Sequence, residues 1–182
     1  MNRFILITAA GPDRPGIVAR IARVLYETGC NIEDTSMTRL RGEFAMMLIV
    51  RLPRGLDPIG IGRHLKKVQR TLGLSLLVKP LSTQEARRDK HPAGRSFILS
   101  VYGSDKPGIV YRVTRLIASR AVNITDMNTR VIGPPDKPIY IMVLEVEVPK
   151  GVKIPALRAE LAKLSKAVMV DITLHPVESV PL

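Results

Sequence analysis

An eight-residue segment, Gly11-Pro12-Asp13-Arg14-Pro15-Gly16-Ile17-Val18, returns later in the chain as Gly103-Ser104-Asp105-Lys106-Pro107-Gly108-Ile109-Val110. The same offset superposes Arg20 on Arg112, Arg23 on Arg115, Asn31 on Asn123, Ile32 on Ile124 and Asp34 on Asp126. The chain is therefore a tandem repeat, and its 182 residues divide into two domains of roughly 80 to 85 residues each. We expect domains over residues 1–81 and 95–182. The linker between them, 82–94, is polar and charged without an apolar period.

Within each copy the apolar spacing gives the elements. Residues 3–10 read as a strand, entirely apolar in its middle, which predicts burial on both faces. Pro15 suits a first helical position, and Asp13 just ahead is a natural cap for the free amides. The helix carries Ile17, Ile21, Val24 and Leu25 on one face and stops at Gly29; Ile109, Val113, Leu116 and Ile117 hold the same positions in the second copy. Asn31 opens a second strand that runs to Leu40 and turns at Arg41-Gly42 into a third, Glu43 to Leu52. Ala45 to Val50 do not alternate with polar residues, which predicts a second sheet against the outer face. The second copy inserts Gly133-Pro134-Pro135-Asp136-Lys137-Pro138 at this hairpin.

Asp57-Pro58 starts a second helix with Ile61, Leu65, Val68 and Leu72, matched by Leu157, Leu161, Leu164 and Val168. A last strand covers Leu74 to Leu81 and Val170 to Val177. With right-handed crossovers, the order strand, helix, strand, strand, helix, strand folds into an α+β, ferredoxin-like (βαββαβ) unit: an antiparallel sheet with both helices on one face.

Several function classes drop out. No apolar run approaches the ~20 residues of a membrane span. Met1 to Ala10 has the look of a short leader, but Ser96 to Tyr102 repeats it in mid-chain, so it reads as a strand and the protein as cytoplasmic. The single cysteine, Cys30, excludes an intrachain disulfide and a cysteine metal cluster, and its counterpart Val122 marks it as core filler. His64, His91 and His175 fall in a helix, the linker and a strand end, with no partner at metal-ligand spacing. Ser36, Ser100 and Ser104 sit in no nucleophile elbow, and Glu145 and Glu147 share one side of a strand as surface carboxylates do. We expect no catalytic site, metal or cofactor.

The net charge of +12 is unevenly spread: +7 over residues 1–81, +2 over 82–95 and +3 over 96–182. Two readings stay open, an acidic or polyanionic partner for the first repeat and a generally basic, soluble surface. Arg63, Lys66, Lys67 and Arg70 on the second helix can touch phosphates without reading sequence. RNA-recognition domains share this element order but stack bases on sheet aromatics. Here there are three Phe, four Tyr and no Trp, and Phe44 and Tyr140 are too few for such platforms, so sequence-specific nucleic-acid binding is not expected.

With G-x-D-x-P-G-I-V after the first strand and Asn-Ile opening the second, both repeats resemble ACT domains, small amino-acid-sensing modules. A chain built only of two such domains resembles the glycine cleavage system transcriptional repressor family. The resemblance implies an amino-acid ligand of the glycine or serine class, held at a domain interface. Its first site comprises Gly11, Asp13, Arg14, Pro15, Gly16 and Ile17 of the loop with Asn31 and Ile32 of the second strand; Gly103, Asp105, Lys106, Pro107, Gly108, Ile109, Asn123 and Ile124 form the equivalent one. Helix-start amides near Gly16 and Ile17 can accept a carboxylate, and the Asn31 side chain can meet the ligand's polar groups. Serine-binding members carry Asn in place of Asp13 and Asp105, and His in place of Gly11 and Gly103, so this chain departs from them there. The implied function is a non-enzymatic regulator of glycine metabolism that contacts a transcription factor or other regulated protein, with edge-to-edge pairing of sheets and a homodimer in view. The alternatives are a ligand-independent interaction module and a basic, nucleic-acid-associated accessory protein.

Overall fold

The computed structural model describes residues 3–87 and 94–177; His91 lies outside them. They fall into two compact units. The first holds β1 (Phe4–Pro12), α1 (Ile17–Glu27), β2 (Asn31–Leu40), β3 (Glu43–Arg51), α2 (Pro58–Leu72), β4 (Ser75–Leu81) and a short α3 (Thr83–Ala86). The second holds β5 (Arg95–Ser104), α4 (Ile109–Ala118), β6 (Asn123–Ile132), β7 (Ile139–Val148), α5 (Ile154–Val168) and β8 (Val170–Pro176).

Each unit is one antiparallel four-stranded sheet, ordered β2-β3-β1-β4 and β6-β7-β5-β8. This is the ferredoxin-like arrangement that the element order predicts. Ile17, Ile21 and Leu25 recur every four residues along α1 and are buried, as are Ile61, Leu65, Val68 and Leu72 along α2. They close on Ile5, Ile7 and Ala9 of β1 and Phe44, Met46, Leu48 and Val50 of β3. Asp57 caps α2 by accepting the Gly60 amide at 2.6 Å, and Gly73 ends that helix in the left-handed region. The second unit builds an equivalent core on Leu99, Val101, Met142, Leu144, Val113 and Leu161. Cys30 is half-buried at the edge of the first core, beside the Thr28 hydroxyl at 3.4 Å.

The burial expected of two strands needs correction. In β1 Ile5, Ile7 and Ala9 are buried on the helix side, while on the other side Phe4 is buried and Leu6, Thr8 and Ala10 are half-buried. In β3 the continuous apolar run conceals strict alternation, with Met47 50% exposed between buried Met46 and Leu48. Hydropathy cannot distinguish an apolar residue facing helices from one on the open face, and no second sheet covers that face within the unit. The segment after β4 holds one short helix. Ser82 and Glu85 form a reciprocal capping box that starts α3, which lies against β1 and β4.

Candidate functional site

In each unit the repeated loop leaves the first strand and is pinned to the neighbouring hairpin. The Asp13 amide donates to the Gly42 carbonyl at 2.8 Å, and the Asp105 amide to the Pro138 carbonyl at 3.3 Å. The chain then takes a left-handed turn at Gly16 (φ 88) and Gly108 (φ 92), and the helix begins one residue later. A Cβ at either glycine would meet nothing within 4 Å. Backbone conformation alone therefore selects glycine here.

This geometry corrects the expected helix start. Pro15 precedes the helix rather than opening it, and Gly16 occupies the capping position with no side-chain cap bond. Asp13 instead faces Arg39 of β2, carboxylate to guanidinium at 3.3 Å. The left-handed turn separates Asp13 from the helical amides. The start of α1 thus presents backbone N–H groups that no side chain satisfies, and α4 does the same. In the second unit Lys106 reaches the Met169 sulfur at 3.9 Å. Arg14 and Lys106, like Pro15 and Pro107, are exposed on the loop, while Ile17 and Ile109 turn into the core.

Gly11 and Gly103 have a packing role. A Cβ on Gly11 would lie 3.0 Å from the Gly73 carbonyl, and one on Gly103 2.8 Å from Val170. A side chain at Gly11 would press on Gly73 and Leu74, and one at Gly103 on its ladder partner Val170, so a histidine in either place requires these neighbours to shift.

The asparagines are not brought to the loops of their own units. Asn31 pairs with Arg51 at the Phe4 end of the sheet, whereas Gly11 and Pro12 pair with Phe44 and Glu43 at the other end. Along the ladder that separation is roughly 25 Å at about 3.3 Å per residue. Asn123 pairs with Glu147, equally far from Gly108. Both strands carry a bulge just after the asparagine, between Ile32 and Asp34 and between Ile124 and Asp126. Asn31 donates to Glu33 at 2.9 Å, and Arg51 donates to the same oxygen at 2.6 Å. These bonds, Asn31's first, hold the Glu33 carboxyl below its usual range. In the second unit the corresponding end is an open cavity of about 610 Å³ lined by Asn123, Thr125, Glu145 and Glu147, among others. One oxygen of Glu147 is buried there without a hydrogen-bond partner.

Phe44 and Tyr140 face the helices and are 2% and 8% exposed, so neither is available to stack a base. Among the described residues no three His, Cys, Asp or Glu side chains converge to hold a metal ion. Among the described residues no helix is long and apolar enough to cross a membrane.

Known proteins share this organisation. The ACT domain matches residues 3–79, and a second ACT domain matches residues 97–164. The glycine cleavage system transcriptional repressor of Escherichia coli (strain K12) is 29% identical over 132 residues, 71% of this chain and 65% of the repressor, so just under two thirds of that relative is spanned. A UPF0237 protein of Methanopyrus kandleri is 43% identical over 80 residues, covering 43% of this chain and 88% of the relative. Among solved structures, an unknown protein from Galdieria sulphuraria superposes with a TM-score of 0.81 at 27% identity, over 97% of this chain and 99% of the other. The chain belongs to the ACT-domain family and consists of two such domains in tandem.

Proposed function

We propose that the chain is an amino-acid-responsive regulator that binds a ligand of the glycine or serine class and acts on glycine metabolism by contacting a transcription factor. The observation that carries this reading is the helix start at Gly16 and Gly108, where unsatisfied amides follow a left-handed glycine in both repeats. Such a start accepts a carboxylate without any charged side chain. Asp13 and Asp105 belong to the same loops, and a carboxylate there favours the ligand's ammonium. In its own unit each asparagine stands at the opposite end of the sheet from that helix start, so this reading takes the asparagine from a second copy of the chain. Ligand binding then favours one assembly over another, and through it one state of the regulated protein. Similarity to the Escherichia coli repressor supports transcription as the output.

Calorimetric titration of the full chain with each of the twenty amino acids tests the reading. Heat is expected with glycine or serine and at least a tenfold weaker response in Asn31→Ala/Asn123→Ala. Silence with all twenty leaves the ligand-independent interaction module instead, and unchanged affinity in the double variant refutes the site as placed.

A further inference from the structure

Charge in the first domain is sorted by layer. Arg20 and Arg23 on α1 and Arg63, Lys66, Lys67 and Arg70 on α2 are all exposed on the helix face. Only one carboxylate, Glu27, belongs to these helices, and it pairs with Arg23 at 2.7 Å. Among the described residues the other five cations have no ion-pair partner. Arg20, Arg23 and Lys67 line a groove of about 380 Å³ between the helices together with Glu27, Val24, Val68 and Thr71. Along α2, Arg63, Lys66 with Lys67, and Arg70 succeed one another at about one helical turn, ~5 Å of rise.

The second domain keeps Arg112, Arg115, Lys163 and Lys166 on its helices but shows that the fold does not require charge at two of these positions. Ala159 and Ala162 of α5 stand where α2 has Arg63 and Lys66, and Glu160 stands in place of His64, paired with Arg120. The face also lacks what a protein partner uses. Protein interfaces have cores depleted of charge and anchored by buried aromatic and apolar groups. Here the exposed large apolar side chains Val18, Tyr26 and Ile59 stand in the first or last turn of their helices, Tyr26 three residues from Arg23 and Ile59 four from Arg63, and none is exposed in the middle turns. Long flexible cations without anchors are the composition of a phosphate-contacting surface.

We propose that the α1–α2 face of the first domain binds the phosphate backbone of duplex nucleic acid without reading its sequence. The inference is independent of amino-acid sensing. It is tested with the full chain and a random-sequence 20-base-pair DNA duplex, by fluorescence anisotropy between 50 and 200 mM salt. Six phosphate contacts give a slope of log K against log salt of about −5. Arg63→Ala/Lys66→Ala copies the pattern of α5 and places good helix formers at exposed positions, so it keeps the fold. It is expected to flatten the slope by about 2, whereas Arg112→Ala/Arg115→Ala in the second domain leaves the slope within about 1 of wild type. An unchanged slope in Arg63→Ala/Lys66→Ala overturns the proposal. So does displacement of the duplex by poly-glutamate as effectively as by unlabelled duplex, because the face would then serve acidic polypeptides.

Discussion

Tyr140 and Phe44 occupy equivalent positions of β7 and β3 and differ by one hydroxyl. That hydroxyl is buried and makes no hydrogen bond of acceptable geometry. Burial raises the Tyr140 pKa first and the Asp105 charge adds to it, while Thr129 nearby opposes part of the rise. A buried hydroxyl left unsatisfied costs about 1–3 kcal/mol, and Phe44 shows that the ring alone fits. Tyr140→Phe is therefore expected to stabilise the second domain by about 1 kcal/mol in urea denaturation at neutral pH. The pH dependence has a definite sign. A folded pKa above the unfolded value of about 10 means that folding favours neutral tyrosine, so stability is complete below that pH and declines as pH rises through the folded pKa. The phenylalanine variant should lose that alkaline decline. Position 140 could be aligned with position 44 from the repeat alone, yet nothing in the sequence marked the hydroxyl as unpaired, because its burial depends on packing under the helices.

At the level of elements, the strand-loop-helix junction contains two kinds of glycine. Gly16 and Gly108 are held by backbone conformation with open space around them, Gly103 by contact with its ladder partner Val170, and Gly11 by contact with Gly73 and Leu74 together with its φ of 156. Gly16→Ala is expected to cost about 1–2 kcal/mol, the penalty of a left-handed L-residue, without moving the sheet. Gly103→Ala should cost more, since its Cβ meets Val170 backbone and side chain at 2.8–3.0 Å and overpacking adds about 1–3 kcal/mol. Thermal unfolding of the two variants, with amide chemical shifts in β8, separates the cases: only Gly103→Ala should perturb the Val170 strand. The motif disclosed both glycines equally. Which constraint acts on each was not legible, because one is local torsion and the other is an approach between residues 103 and 170. The same distinction explains Asp13. A capping residue is recognisable only once the helix start is known, and the left-handed turn at Gly16 moved that start beyond its reach.

For the whole molecule, the two hydrophobic clusters are each drawn from one repeat, Ile5 through Leu74 and Phe97 through Leu174. We expect fragments 1–87 and 94–182 to fold separately, each with a cooperative urea transition; a fragment that unfolds without cooperativity would show that its core is incomplete alone. Charge gives a second lesson at this scale. Counting by repeat makes the first half basic, +7 against +3, but the helices of the second domain are basic too, and its carboxylates Asp126, Glu145, Glu147 and Asp171 lie on the sheet. The sequence by itself determined the duplication, the βαββαβ order, the buried helix faces and the identity of the loop, since each follows from spacing along one chain. Only the tertiary structure decided that Asn31 and Gly16 stand at opposite ends of a sheet, that Asp13 meets Arg39, and that six cations from two helices share one face. Those facts depend on strand register and helix packing, which bring together residues whose distance along the chain says nothing about their distance in space.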